Sequence, residues 1–235
     1  MAFWRKAADL LMRGFFPSRC PVCGAASDDP ASLPFCSCCW RGISPYEGPA
    51  CAICGEPLPS EHAIHCGQCL AGRPAYTKAF TFGLFEGALK EAIHIYKFAP
   101  ARRLSAPLAG MLYSRGLPQA QAVTAVPLSK KRLLERGFNQ SMLLGGHIAR
   151  WSGAKLLPHA IVKVKETRPQ AGLGRQERVR NLRGAFRADG CLGGMTVLLI
   201  DDVITTGATV RECSEALVRA GAKEVFVAAL ARTKK

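Results

Sequence analysis

The chain has 235 residues and a mass of 25.3 kDa, room for one domain or a medium domain beside a small one. Apolar residues make up 49%, ample for a packed core, yet no apolar run approaches the roughly 18 residues of a spanning helix, so a membrane-spanning protein is not expected. Lysine and arginine outnumber aspartate and glutamate by 32 to 17; residues 1–75 balance at six against six, so residues 76–235 hold the whole excess and are the half expected to meet an anionic partner.

Met1 to Phe16 is apolar but broken by Arg5, Lys6, Asp9 and Arg13 and lacks a small-residue cleavage site. It reads as a short amphipathic helix over 1–16 rather than a secretory signal, so a reducing cytoplasmic location is expected.

Nine of the eleven cysteines fall between residues 20 and 69, eight of them as four CxxC pairs: Cys20 and Cys23, Cys36 and Cys39, Cys51 and Cys54, Cys66 and Cys69. A two-residue gap lets two thiolates from one tight turn approach a tetrahedral ion, and two such turns complete a four-sulfur structural zinc site. Eight ligands make two Zn²⁺ ions. The gaps between pairs are nearly equal, so sequential, crossed and nested partnering all fit; sequential ribbons are the expectation. Cys38 is left over, and Cys191 and Cys213 read as ordinary small buried residues. A module of this size, placed at 17–73, buries little apolar surface and should depend on metal to fold. Pro57, Pro59 and Pro74 suggest a joint to the rest of the chain, 74–235.

From there the pattern alternates helices with apolar strands, which predicts an α/β fold with a mostly parallel sheet. Strands are expected at 78–84, 121–126, 160–164, 196–200 and 224–230. Helices are expected at 86–97, 104–115, 139–151 and 207–220, the last closed by Gly221. His94 and His147 fall on helices and read as packing or surface residues.

The informative segment is Val197-Leu-Leu-Ile-Asp201-Asp202-Val-Ile-Thr205-Thr206-Gly207-Ala208-Thr209. A buried strand delivers two carboxylates to its C-terminal edge, where open α/β sheets bind ligands, and a small hydroxyl-rich loop then opens a helix. Free N–H groups and the positive end of the helix dipole favour a phosphate there, with the threonine hydroxyls as added donors and Gly207 allowing close backbone approach. The carboxylates suit the paired hydroxyls of a ribose, directly or through Mg²⁺. Helix capping by Asp202 or one threonine is the everyday alternative, but it explains one such residue, not two acids and three threonines around a glycine.

This segment resembles the phosphoribosyl pyrophosphate (PRPP) signature of type I phosphoribosyltransferases. Two further stretches narrow the family: Val126-Pro127-Leu128 leading through Lys130, Lys131 and Arg132 into Arg136-Gly-Phe-Asn-Gln140, and Thr167-x2-Gln170-x2-Leu173-x4-Arg178-x2-Asn181-x2-Gly184-Ala-Phe186. With the cysteine module in front, the chain resembles the ComF family, the competence-linked, GntX-like phosphoribosyltransferase-like proteins. Lys165 departs from the arginine expected two residues before Thr167, keeping the charge but not the bidentate fork.

The resemblance implies a type I phosphoribosyltransferase-like sheet with helices on both faces. PRPP would bind at Thr205, Thr206, Gly207, Ala208 and Thr209, with Lys130, Lys131, Arg132 and Arg178 on its anionic groups. Asp201 and Asp202 would orient the ribose, and Mg²⁺ would hold the leaving pyrophosphate. The basic stretch 163–187, containing Pro169, Gly172 and Gly174, reads either as a closing loop or, over 175–183, as a solvated basic helix. No base-reading residue stands out, and the zinc module is a candidate for the cap over the acceptor. Two function classes follow: transfer of phosphoribose to an acceptor, or binding of single-stranded DNA during uptake with PRPP in a regulatory role. The family context adds a competence helicase as partner. Aromatics, at 8%, are sparse for a base-stacking groove.

Overall fold

The computed structural model describes residues 19–28, 32–97, 99–165, 182–188 and 192–234, the side chains of 99–101 excepted. The expected amphipathic helix over 1–16, Arg178 and most of the basic stretch lie outside these residues.

The cysteine-rich part contributes two short helices, α1 (Ser37–Arg41) and α2 (Gly67–Ala71), opened by Cys36 and Cys66. The remainder runs β1 (Lys78–Leu84), α3 (Gly87–Tyr96), a 3₁₀ turn, α4 (Ser105–Tyr113), β2 (Ala122–Ala125), α5 (Lys130–Arg136), α6 (Gln140–Ser152), β3 (Lys155–Leu156), β4 (Ile161–Lys163), β5 (Phe186–Ala188), β6 (Thr196–Ile204), α7 (Ala208–Arg219) and β7 (Glu224–Arg232). Five strands form one sheet in the order β1-β7-β6-β2-β3, every neighbouring pair parallel; β4 and β5 make a separate antiparallel ribbon.

The central strands are apolar on both faces, as a parallel sheet covered on both sides requires. One face packs against Leu89 and Ile93 of α3, Leu108 and Leu112 of α4, and Leu144 and Ile148 of α6. The other packs against Val210, Cys213 and Leu217 of α7 and against Ile161 and Phe186 of the ribbon. Cys213 is the small buried residue expected.

The cysteine-rich part wraps β1, the edge strand. Tyr46 N donates to Phe82 O at 2.8 Å and Ala79 N donates to Ile53 O at 2.7 Å, so polar groups on the open side of β1 find partners. The stretch leading out of the module is packed: Pro74 is buried and Tyr76, 1% exposed, joins the core shared by Cys51, Cys54, Cys66 and Cys69.

Two departures from the sequence reading matter for the site. β6 continues four residues past the expected end at Ile200, because β7 keeps pairing with it as far as Ile204 opposite Arg232. Residues 130–136, for which no helix was expected, form α5, with the Ser129 hydroxyl accepting from Arg132 N and Gly137 closing the helix at φ 72°.

Candidate functional site

The site arises where β6 loses one neighbour. β2 ends at Ala125; Val126 N makes a last bond to Ile200 O at 2.9 Å, and Pro127 cannot continue the ladder. Asp201 and Asp202 follow at once on β6, still held by β7 on the other side. The chain leaves β2 toward β3 and leaves β6 toward β7, so the opening between them is a switch point of the sheet, where open α/β folds bind ligands. A cavity of about 360 Å³ occupies it.

Asp201, Asp202, Thr205 and Thr209 line one wall. Ser129, Arg132 and Arg136 come from the start and end of α5, Lys97 and His94 from the end of α3, and Lys163 and Phe186 from the ribbon. The charges are complementary in kind. Lys97 Nζ lies 3.5 Å from Asp202 Oδ2, and Asp201 Oδ1 accepts from Asp202 N at 2.9 Å and from the Ser141 hydroxyl at 3.5 Å. Burial, and then the adjacent Asp202, push the Asp201 carboxyl up to about 8, and the Asp202 amide and Lys97 act in the opposite direction. Four basic side chains surround it, which leaves the cavity positive and fitted to a polyanion.

The loop after β6 is fastened by its carbonyls. Thr233 N donates to Ile204 O at 3.1 Å, the Thr233 hydroxyl donates to Thr205 O at 3.4 Å, and Gln68 Nε2 donates to Thr206 O at 3.4 Å. In a planar trans peptide each N–H points opposite the preceding C=O, so these anchors turn the amides of Thr205, Thr206 and Gly207 the other way. Gly207, at φ 79°, caps α7 without a side chain, so backbone N–H groups open the helix toward any anion there. Neither aspartate caps the helix.

The Arg136-Gly-Phe-Asn-Gln140 stretch is a clasp that builds the opposite wall. Asn139 caps α6 by accepting from Met142 N at 3.2 Å while its amide donates to Val126 O at 3.0 Å. Gln140, 1% exposed, donates to Lys97 O at 3.0 Å and accepts from Arg136 Nη1 at 3.1 Å, and Tyr96 donates to Gln140 O at 2.9 Å. Phe138 is buried under the Arg102 guanidinium, 4.5 Å from the ring centre. Two cavity cations, Lys97 and Arg136, are thereby set by one glutamine.

Among the residues singled out in the sequence, Asp201, Asp202, Thr205, Thr209 and Arg132 line the cavity together. Gly207 and the buried Ala208 start α7; the Thr206 carbonyl faces the cysteine module, while its hydroxyl accepts from Ala208 N at 3.4 Å. Lys130 and Lys131 stand exposed on the first turn of α5, outside the lining. The sequence reading missed Lys97 and Arg136. Arg136 could have been found from its place in the motif, whereas Lys97 meets Asp202 only through tertiary folding. His94, read as packing or surface, is exposed and meets Phe85 edge-on at 5.4 Å.

The eight cysteines form two clusters with sequential partnering: Cys20, Cys23, Cys36 and Cys39, then Cys51, Cys54, Cys66 and Cys69, each with sulfurs within 4.8 Å of one another. Cys38 stays out and is exposed. In each cluster a tight turn presents the first pair, with Gly24 N bonded to Cys20 O and Gly55 N to Cys51 O. A short helix start presents the second. These are two Cys₄ zinc-ribbon sites, closed and structural in kind. The second passes a charge test. Arg232, 1% exposed and paired with Glu56, also brings its Nη2 to 3.6 Å from Cys54 Sγ, and its Nη1 has no hydrogen-bond partner among the described residues, a cationic edge suited to the thiolates of a metal-loaded cluster. Among the described residues none of either ribbon lines the cavity; Gln68 of the second ribbon braces the loop from behind.

No helix among the described residues is long and apolar enough to cross a membrane. Fold and site together define a phosphoribosyltransferase-like protein with a double zinc ribbon in front. Residues 11–70 match the family described as double zinc ribbon domain, and residues 155–235 match the phosphoribosyl transferase domain family. Competence protein F of Haemophilus influenzae is 34% identical over 232 residues, 94% of this chain and all of that protein. DNA utilization protein YhgH of Salmonella typhi is 35% identical over 207 residues, 84% of this chain and 90% of its own. The chain belongs to the ComF family. Among solved structures, glutamine PRPP amidotransferase from B. subtilis aligns at TM-score 0.40 and 23% identity over 55% of this chain and 26% of its own, too slight a likeness to bear on function.

Proposed function

We propose that the cavity binds PRPP and that the protein transfers phosphoribose with release of pyrophosphate, in the DNA-uptake setting that the names of its relatives suggest. The observation that carries this reading is the meeting of two kinds of wall across one opening: Asp201, Asp202, Thr205 and Thr209 on one side, and Lys97, Arg132 and Arg136 on the other.

In this reading the loop 205–209 takes the 5′-phosphate on backbone amides and hydroxyls, and Asp201 and Asp202 accept from the ribose hydroxyls. Arg132 and Arg136 face the pyrophosphate, with Arg178 joining from outside the described residues. The donor set fits Mg²⁺, a hard cation that commonly binds through one or two carboxylates plus substrate phosphates. When bound, it would supply positive charge that holds pyrophosphate for departure. The aspartates would favour the positive character that grows on the sugar as that bond breaks.

Calorimetry with PRPP and Mg²⁺ tests the binding. Loss of two carboxylate contacts in Asp201→Asn/Asp202→Asn should weaken affinity by at least tenfold, since hydrogen bonds to charged groups contribute about 1.5–3 kcal/mol. Equal affinity in both proteins rejects the site. Pyrophosphate release that requires a base or a single strand would establish transfer. PRPP binding without release, together with salt-dependent affinity for single strands, would favour a DNA-binding protein with a regulatory PRPP site.

A further inference from the structure

Three side chains link the second zinc ribbon to the 204–209 loop and to the elements that flank it. Gln68 lies between the ligands Cys66 and Cys69, and its amide holds the Thr206 carbonyl at 3.4 Å. Arg211, on the first turn of α7, donates to Gly72 O at 2.9 Å and reaches Cys69 Sγ at 3.7 Å. Arg232 reaches Cys54 Sγ from the end of β7, one residue before Thr233, which holds the Ile204 and Thr205 carbonyls. The same ribbon shares its apolar core with Ile204, Ala208 and Val210. The first ribbon packs on the other face of the sheet, with Cys20 and Cys36 beside Phe35 and Phe82.

A Cys₄ zinc site carries two formal negative charges, and two guanidinium groups converge on its sulfurs. One belongs to the helix whose N-terminus opens the loop; the other sits next to the loop's main anchor. We infer that Gln68 and Arg211 are positioning residues that couple the second ribbon to the 204–209 loop, so that metal in that ribbon and a phosphate on the loop strengthen each other's binding. The inference rests on reading the loop as a phosphate cradle. Coupling of this kind is reciprocal by thermodynamic necessity: if the ordered ribbon improves the loop, an occupied loop must help the ribbon keep its metal.

The test uses the full zinc-loaded chain. Amide hydrogen exchange of residues 203–212 is compared between wild type and Gln68→Ala, without ligand. Gln68→Glu, the same size but with no donor when ionised, serves as a second variant. Exchange in the loop should rise about tenfold in both variants while each still carries two zinc ions by native mass spectrometry. Zinc loss to a chelator is then followed by alkylation of the released thiols, with and without PRPP and Mg²⁺. PRPP should slow alkylation of Cys66 and Cys69 severalfold in wild type, leave Cys20 and Cys36 unchanged as an internal reference, and protect neither pair in Gln68→Ala.

Unchanged loop exchange in both variants overturns the coupling. So does PRPP that binds by calorimetry yet fails to protect Cys66 and Cys69. Faster loop exchange in a protein that does not bind PRPP would instead remove the PRPP reading and leave the mechanical link standing.

Discussion

Arg232, at the end of β7, donates through both Nε and Nη2 to Oε2 of Glu56 in the cysteine-rich module, and neither side chain reaches solvent to any extent. The pair joins two parts of the chain that are 176 residues apart in sequence. Removing one partner of a buried ion pair leaves an uncompensated charge. Glu56→Ala is therefore expected to lose about 3–5 kcal/mol in urea unfolding at fixed free zinc. Glu56→Gln should lose less, because it still offers an acceptor.

Gln140 holds the Lys97 carbonyl, the Arg136 guanidinium and the Tyr96 hydroxyl at one point. Gln140→Ala keeps the Tyr96 bond, which is made to the backbone carbonyl, but removes the partner of the Lys97 carbonyl and of the Arg136 guanidinium, with an expected loss of about 1–3 kcal/mol in thermal unfolding. Affinity for PRPP should fall as well, although the residue itself lies behind the cavity wall. Retention of full affinity would show that Lys97 and Arg136 keep their places without the clasp.

His147 sits against the Ser105 hydroxyl, at 3.1 Å from Nε2, and beside the Trp151 ring. Burial, and then the nearby Arg150, hold its imidazole below the usual histidine range. The folded state therefore binds its proton more weakly than the unfolded chain does. The stability this site contributes is present above about pH 6.5 and is lost as pH falls through the lower folded value. In a series from pH 7.5 to 5, wild type should lose stability relative to His147→Gln; parallel curves would show that the ring does not titrate in this way.

Native mass spectrometry should find two zinc ions per chain. Cys69→Ser should lose one, and because that cluster shares the core under α7, its cost in melting temperature should exceed that of Cys23→Ser, whose side chain is exposed. A protein holding one zinc or none in the wild type would contradict the two Cys₄ sites.

The repeating units of the fold were legible because each writes a local pattern. β1 spans the expected 78–84, and α3, α6 and α7 fall within a residue or two of expectation, fixed by apolar periodicity and by Gly153 and Gly221 after the last turns. The acid pair and threonines were legible as a spacing. The end of β6 was not: Asp201 and Asp202 look like a strand terminus in sequence, and only the β7 ladder carries the strand past them. α5 was hidden because its four basic residues read as a charge cluster, with no residue buried to give a helical stripe. Lys97, Arg211 and Arg232 act through contacts more than 100 residues away in sequence, which no local pattern encodes.

The seam along β1 bears on how this molecule can be dissected. A shortened version beginning near residue 74 would emerge with one sheet border unzipped at Ala79 and Phe82 and with Arg232 deprived of its counter-ion. Such a fragment should accumulate in inclusion bodies rather than as a usable C-terminal domain.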